Sequence, residues 1–123
     1  MNFVVFALII LSVLFNTAAQ IALKAGMLQI GHFNFSWENL IPIILKIIAS
    51  PWIILGMMIY VGSVSVWLLV LSRTPISIAY PMASLGYITS AIAAYYLWGE
   101  DLTLMRIAGI IVILVGVYMV AKT

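Results

Sequence analysis

No charged side chain interrupts the chain from Phe3 to Leu23, from Pro51 to Ser72 or from Thr74 to Gly99, and Arg106 alone interrupts Leu102 to Ala121. A helix needs roughly 20 apolar residues to cross a bilayer, and each of these runs is long enough. Hydrocarbon offers no partner to a free backbone N–H or C=O, so runs of this kind must cross as helices. Composition agrees: 67% of residues are hydrophobic and 7% charged, where a soluble domain carries about 25% charged residues. The expected fold is an all-α integral membrane protein, one domain of four spans at about 3–25, 51–72, 76–98 and 102–121.

The first span departs from plain apolarity in one respect. Ser12, Asn16, Gln20 and Lys24 recur every fourth position, which stacks them on one helical face. Asn and Gln inside a span are costly unless they meet protein partners or a wet cavity. The run also resembles a signal sequence, with Ala18-Ala19-Gln20 as a weak cleavage site. It lacks a basic leading segment and exceeds the usual apolar length, so it is expected to be retained as a span.

Gly26 is placed as the terminator of span 1. The segment Trp37 to Ala49 is too short to cross a membrane. It reads as a helix lying in the interface, capped by Ser36, with Glu38 in its first turn and Phe33, Phe35 and Trp37 as aromatic anchors. The alternative is that it extends span 2 with a break at Pro51. In span 2, Ser50 caps and Pro51 takes the first helical position, while Gly56, Tyr60, Ser63 and Trp67 share a face. The link Arg73-Thr74-Pro75 is so short that spans 2 and 3 must form an antiparallel hairpin. In span 3, Ser77, Tyr80, Ser84 and Tyr87 share a face, and Pro81 should kink the helix near Ser77. Gly99-Glu100-Asp101 forms a hydrated turn. Gly109 and Gly116 lie seven apart on span 4, a packing seam for this chain's own helices or for a second molecule. Orientation is nearly balanced, with Arg73, Lys122 and the terminal amine on one side and Lys24, Lys46 and Arg106 on the other.

Chemistry has little to work with. The spans contain no carboxylate, histidine or cysteine, and His32 stands alone in a loop. There is no paired acid, no nucleophile with its base and no phosphate loop, so neither an enzyme nor a metal or cofactor site is expected. The net charge of +2 is too small to suggest nucleic acid. The remaining side chains suit binding and passage of an amphiphile. Asn16 and Gln20 offer donors and acceptors, Tyr80 and Tyr87 offer ring faces and hydroxyls, and Ser77 and Ser84 keep span 3 thin. Lys24 can meet a phosphate, as can Arg73. Each has a plainer reading: a snorkelling anchor for Lys24, interhelical bonds for Asn16 and Gln20, core or belt packing for Tyr60, Trp67 and Tyr95, and span-end anchors for Arg73 and Arg106.

Three stretches carry a resemblance: Trp67-Leu68-Leu69-Val70-Leu71, the block Thr74-Pro75-Ile76-Ser77-Ile78-Ala79-Tyr80-Pro81-Met82-Ala83-Ser84-Leu85, and Leu97-Trp98-Gly99-Glu100. With Ala19-Gln20 and Lys24 in span 1, they resemble the small four-span members of the drug/metabolite transporter superfamily. Among these they are most similar to the subunits of the aminoarabinose-phosphoundecaprenol flippase. The small multidrug resistance exporters look similar too. They carry a glutamate where this chain has Asn16 and a tryptophan where it has Ala83, and both departures count against proton-coupled cation export.

The resemblance implies spans 1 to 3 around a substrate path, span 4 as a dimer contact and a bacterial inner membrane location. It also implies a pair of different subunits moving a sugar phosphate on a C55 isoprenoid for lipopolysaccharide modification. The expected function is therefore flipping of a polyprenyl-phosphate-linked sugar, through Asn16, Gln20, Lys24, Tyr80, Ser84, Tyr87 and Arg73. A homodimer or heterodimer would form through Gly109 and Gly116. A small exporter of cations or polyamines, or an accessory subunit of a membrane complex, are the alternatives.

Overall fold

The structure is a computed structural model that describes residues 3–34 and 36–123. Phe35, expected as an aromatic anchor, and the terminal amine of Met1 lie outside the described residues. Six helices follow in order: α1 Phe3–Ile30, α2 Trp37–Ala49, α3 Pro51–Leu71, α4 Ile76–Met82, α5 Leu85–Trp98 and α6 Leu104–Lys122. Taking α4 and α5 as one span, four stretches are long and apolar enough to cross a membrane. The fold is therefore an all-α, four-span membrane protein, with the short helix α2 between the first two spans.

α1 is the hub. It packs chiefly on α3, with further contacts to α5 and α2. Lipid is as apolar as leucine, so helices associate in it by close packing and hydrogen bonds rather than by a hydrophobic drive. The α1–α3 seam is built for that. On α1 the buried small residues Ser12, Ala19 and Gly26 recur every seventh position, and on α3 Gly56 and Ser63 do the same. The helices run antiparallel, so Ser12 meets Ser63 and Ala19 meets Gly56.

The seam explains why Gly26 does not end the helix, as its sequence position suggested. A Cβ there would lie 2.5 Å from Ile53 Cγ1, so Gly26 is a close-approach residue and α1 continues through it. Termination falls to Gly31, whose φ of 82° suits glycine. At 1.5 Å per residue α1 is about 42 Å long, more than the roughly 30 Å of hydrocarbon.

Ser12 and Ser63 also bond reciprocally. Ser12 Oγ donates to the Ser63 carbonyl at 3.2 Å, and Ser63 Oγ donates to the Ser12 carbonyl at 3.1 Å. Interhelical bonds of this type contribute about 0.6–2 kcal/mol in membranes. Replacing either serine by alanine is expected to destabilise the protein by about that amount. The Ser12→Ala/Ser63→Ala pair should be less than additive in a denaturant-titration double-mutant cycle.

α2 and α3 are separate helices that meet at Ser50. Ser50, extended at ψ 124°, closes one helix and opens the next, with its side chain accepting the Ile53 N–H at 3.5 Å. Ser36 has extended backbone but makes no side-chain cap bond; its carbonyl accepts the Asn39 N–H instead. None of the residues of α2 is buried. Apolar on most of its surface and only lightly packed against α1 and α3, it is compatible with an interfacial helix.

The third span is two helices rather than one kinked helix. Pro81 has no N–H to give the Ser77 carbonyl. Beyond it, Ser84, Gly86 and Tyr87 donate to the carbonyls of Pro81, Ala83 and Ser84, each a three-residue step at 3.0 Å. This tighter winding separates α4 from α5 in mid-span. Gly99, at φ 65°, closes α5: its N–H reaches the Tyr95 carbonyl, and the Glu100 N–H reaches that of Ala94. Thr103 then caps α6 by accepting the Arg106 N–H at 3.2 Å.

One end of the bundle is closed by an apolar cluster. Val5, Ile9, Val13, Val70, Ala79, Met82 and Val117 are buried together there. Val117 is the buried residue of α6. A Cβ at Gly109 or Gly116 would meet nothing within 4 Å, so these glycines do not pack against this chain's own helices.

Candidate functional site

Two cavities follow one another along α1. The mid-span cavity, about 400 Å³, is lined by Ser12, Val13 and Asn16 of α1, by Tyr60, Ser63, Val64 and Trp67 of α3, and by Tyr80, Ala83 and Ser84. The end cavity, about 440 Å³, is lined by Gln20, Ile21 and Lys24 of α1 and by Tyr87, Ser90, Ala91, Ala94 and Trp98 of α5. Its rim is Glu100, Asp101, Leu102 and Arg106. Both volumes fall within the roughly 300–1,000 Å³ of small-molecule sites.

The polar stripe of α1 is thereby divided. Ser12 is buried and committed to Ser63, so it belongs to the seam as much as to the cavity. Asn16 is half-buried in the mid-span cavity, and Gln20 and Lys24 are exposed in the end cavity. A long bond of 3.5 Å, from Gln20 Nε2 to Asn16 Oδ1, links the two compartments. Behind Asn16, Gly86 keeps α5 close: a Cβ there would lie 3.4 Å from Asn16 Nδ2. One turn along, buried Thr17 bonds to the hydroxyl of Thr89. Thr89 donates to the Gly86 carbonyl at 3.0 Å, which leaves Thr17 as the donor between helices. This Thr17–Thr89 pin sets the α1–α5 wall. Sequence reading passed over it because isolated threonines in a span carry no periodic signal.

Tyr80 and Ser84 line the mid-span cavity and Tyr87 the end cavity, so the face read from span 3 serves both. Tyr80 is 71% exposed, its ring free to meet a ligand. Ser77 lines neither cavity. Tyr60 and Trp67, read as core or belt residues, are cavity walls, because the over-wound stretch between α4 and α5 leaves room in front of α3. Arg73 is exposed on the α3–α4 turn, beyond the apolar cluster, and lines neither cavity. Arg106, read as an ordinary anchor, is held at the rim of the end cavity, where its Nη1 donates to the Asp101 carbonyl at 2.6 Å. A signal for this exists in the sequence: Thr103 three residues before Arg106, just after a glycine-closed helix, turns the chain back over Lys24.

The arrangement is a mixed polar and apolar lining along α1 and α5, with charged side chains at one end and the apolar cluster at the other. It offers neutral hydrogen bonding in one cavity and charged groups in the other. Lys24 lies about 31 Å along α1 from Phe3.

No family model matches the chain, and no solved structure matches it. Among curated proteins, the chain is 37% identical over 110 residues to the probable 4-amino-4-deoxy-L-arabinose-phosphoundecaprenol flippase subunit ArnE of Erwinia tasmaniensis, covering 89% of this chain and 90% of that one. It is 33% identical to the probable flippase subunit ArnF of Proteus mirabilis, covering 92% and 88%. A shorter match to ArnE of Sodalis glossinidius, 39% identical over 66 residues, covers 54% of this chain and 60% of that relative's length. On identity and coverage of this extent, the chain belongs to the family of 4-amino-4-deoxy-L-arabinose-phosphoundecaprenol flippase subunits that includes ArnE and ArnF.

Proposed function

We propose that the chain is a transporter subunit that helps flip a polyprenyl-phosphate-linked aminosugar across a bacterial inner membrane. The observation that carries the reading is the pair of linked cavities: one grades from the neutral amide of Asn16, the other ends at the cations Lys24 and Arg106. A lipid-linked sugar phosphate has the same gradation. Its phosphate is anionic at the headgroup level, its sugar hydroxyls need donors and acceptors, and its isoprenoid stays in lipid. In this reading Lys24 meets the phosphate, Asn16 and Gln20 hydrogen-bond the sugar, and Tyr80, Ser84 and Tyr87 line its way. Arg73 has no part in the cavities and is left out of the path.

The relatives are named as subunits, and α6 supports a partner through what it leaves open. Among the described residues, a Cβ at Gly109 or Gly116 would meet nothing within 4 Å. Small residues on a span admit the close approach of another helix. A second, different subunit seated there would complete the path on the α6 side. The proton-coupled exporter reading has no observation in its favour, since the mid-span cavity is lined by no carboxylate or imidazole.

The test is reconstitution of the full chain with its co-expressed partner subunit into vesicles loaded with the lipid-linked aminosugar. Transfer between leaflets is read by labelling with an amine reagent that cannot cross the membrane. Labelling beyond the outer-leaflet fraction, dependent on the protein, is expected; protein-independent labelling would end the proposal.

A further inference from the structure

The end cavity holds charge of both signs. Of the chain's five basic and three acidic side chains, two of each line it: Lys24 and Arg106, Glu100 and Asp101. A site for a phosphate alone needs only the cations. Carboxylates beside it repel an anion and weaken such a site. Their presence at the same rim is unexplained by phosphate binding.

Nor are the acids there to neutralise the arginine. Arg106 Nη1 is engaged by the Asp101 backbone carbonyl, not by a side-chain carboxylate. That bond fixes the guanidinium at the rim and leaves the rest of its donor fork available. The acids are themselves fixed in place. The glycine-closed end of α5 orders the Glu100 N–H on the Ala94 carbonyl, and the Thr103 cap starts α6 immediately after Asp101. The result is a short, ordered loop presenting two carboxylates at the rim of a cavity that also holds Lys24 and Arg106.

Resting on the flippase reading above, we propose that Glu100 and Asp101 are specificity-determining residues. They recognise a positively charged amine on the sugar while Lys24 and Arg106 hold the phosphate, so the end cavity selects a zwitterionic lipid head over a purely anionic one. Charge-assisted hydrogen bonds are about twice as strong as neutral ones. A ligand that left these carboxylates desolvated and unpaired would lose affinity for that reason as well.

The experiment measures binding of three probes to the full chain with its co-expressed partner subunit in nanodiscs: polyprenyl phosphate, the polyprenyl-phosphate aminopentose, and the same lipid with its amine N-acetylated. The wild-type chain is expected to prefer the free amine over the N-acetyl form by about tenfold, one such interaction. In E100Q/D101N that ratio is expected to fall to near one. The ratio compares two ligands on one sample, so partial loss of folded protein does not distort it, and the wild-type comparison needs no variant. Equal wild-type affinity for the two sugar lipids would overturn this inference and leave the flippase reading standing. A preference that survives in E100Q/D101N would assign the amine to other groups and overturn it too. Binding of none of the three lipids would remove the flippase reading and this inference together.

Discussion

Lys24→Met is expected to lower delivery of the lipid-linked aminosugar by about 30-fold, with protein levels unchanged. Methionine keeps most of the apolar stem and its packing while removing the charge. Truncating one partner of a hydrogen-bonded charge pair costs about 2–5 kcal/mol when the pair is buried. Lys24 is exposed in the free protein, so the lower end of that range applies, about 2 kcal/mol or a factor of about 30. The measurement is leaflet transfer in the vesicle assay, normalised to reconstituted protein. An anchoring lysine would behave differently: its loss would alter insertion or yield and leave transfer per molecule intact. Unchanged transfer at normal yield would take Lys24 out of the mechanism.

Gly56→Leu is expected to prevent the bundle from assembling at all. The first added carbon already lies 2.9 Å from Leu23 Cγ and Cδ2 and 3.0 Å from the Ala19 carbonyl oxygen. The leucine side chain can turn away, but the carbonyl is helix backbone and cannot. α1 and α3 must therefore separate. The Ser12–Ser63 bonds, one heptad along the same seam, would go with them. Overpacking by a few methylenes costs about 1–3 kcal/mol where the surroundings can relax. Here the surroundings are the main interface of the fold, so a loss at or beyond the top of that range is expected. Denaturant titration in detergent and the yield of monodisperse protein both report it. Gly109→Leu is the control: nothing lies within 4 Å of that position, so the single chain should keep its stability. A Gly56→Leu protein as stable as wild type would show that the α1–α3 seam does not determine the fold.

The two substitutions act on different levels of the same helix. α1 carries the seam on one face and the cavity-lining residues Asn16, Gln20 and Lys24 on the next, about a quarter-turn apart. Asn16 and Lys24 reach the cavities only because Ser12, Ala19 and Gly26 let α3 lie close. Packing on α1 is thus the precondition of the site, and the apolar cluster around Ile9 and Met82 sets where the polar wall stops. The over-wound stretch beyond Pro81, beside the mid-span cavity, is held by three-residue backbone bonds at Ser84, Gly86 and Tyr87.

Sequence alone determined the number of spans, the hairpin at Thr74-Pro75 and the candidacy of Asn16, Gln20, Lys24, Tyr80, Ser84 and Tyr87. These are local properties. Apolar length, a proline or serine at a helix start, and a polar residue inside a span each carry a free-energy cost that neighbours in sequence cannot remove. Only the tertiary structure decided which polar residue does what. A serine in a span is equally consistent with a seam and with a cavity, and successive helical positions differ by about 100°. The rotation of α1 against α3 put Ser12 in the seam and left Asn16 half open. Likewise the closure of α5 at Gly99 and the cap at Thr103 brought Glu100, Asp101 and Arg106 over Lys24, across more than seventy residues of chain. Gly26 shows the same limit: a glycine near the end of an apolar run suggests a terminator, and only the 2.5 Å approach of Ile53 reveals a packing residue. Close approach is a relation between two helices, and composition and periodicity describe only one at a time.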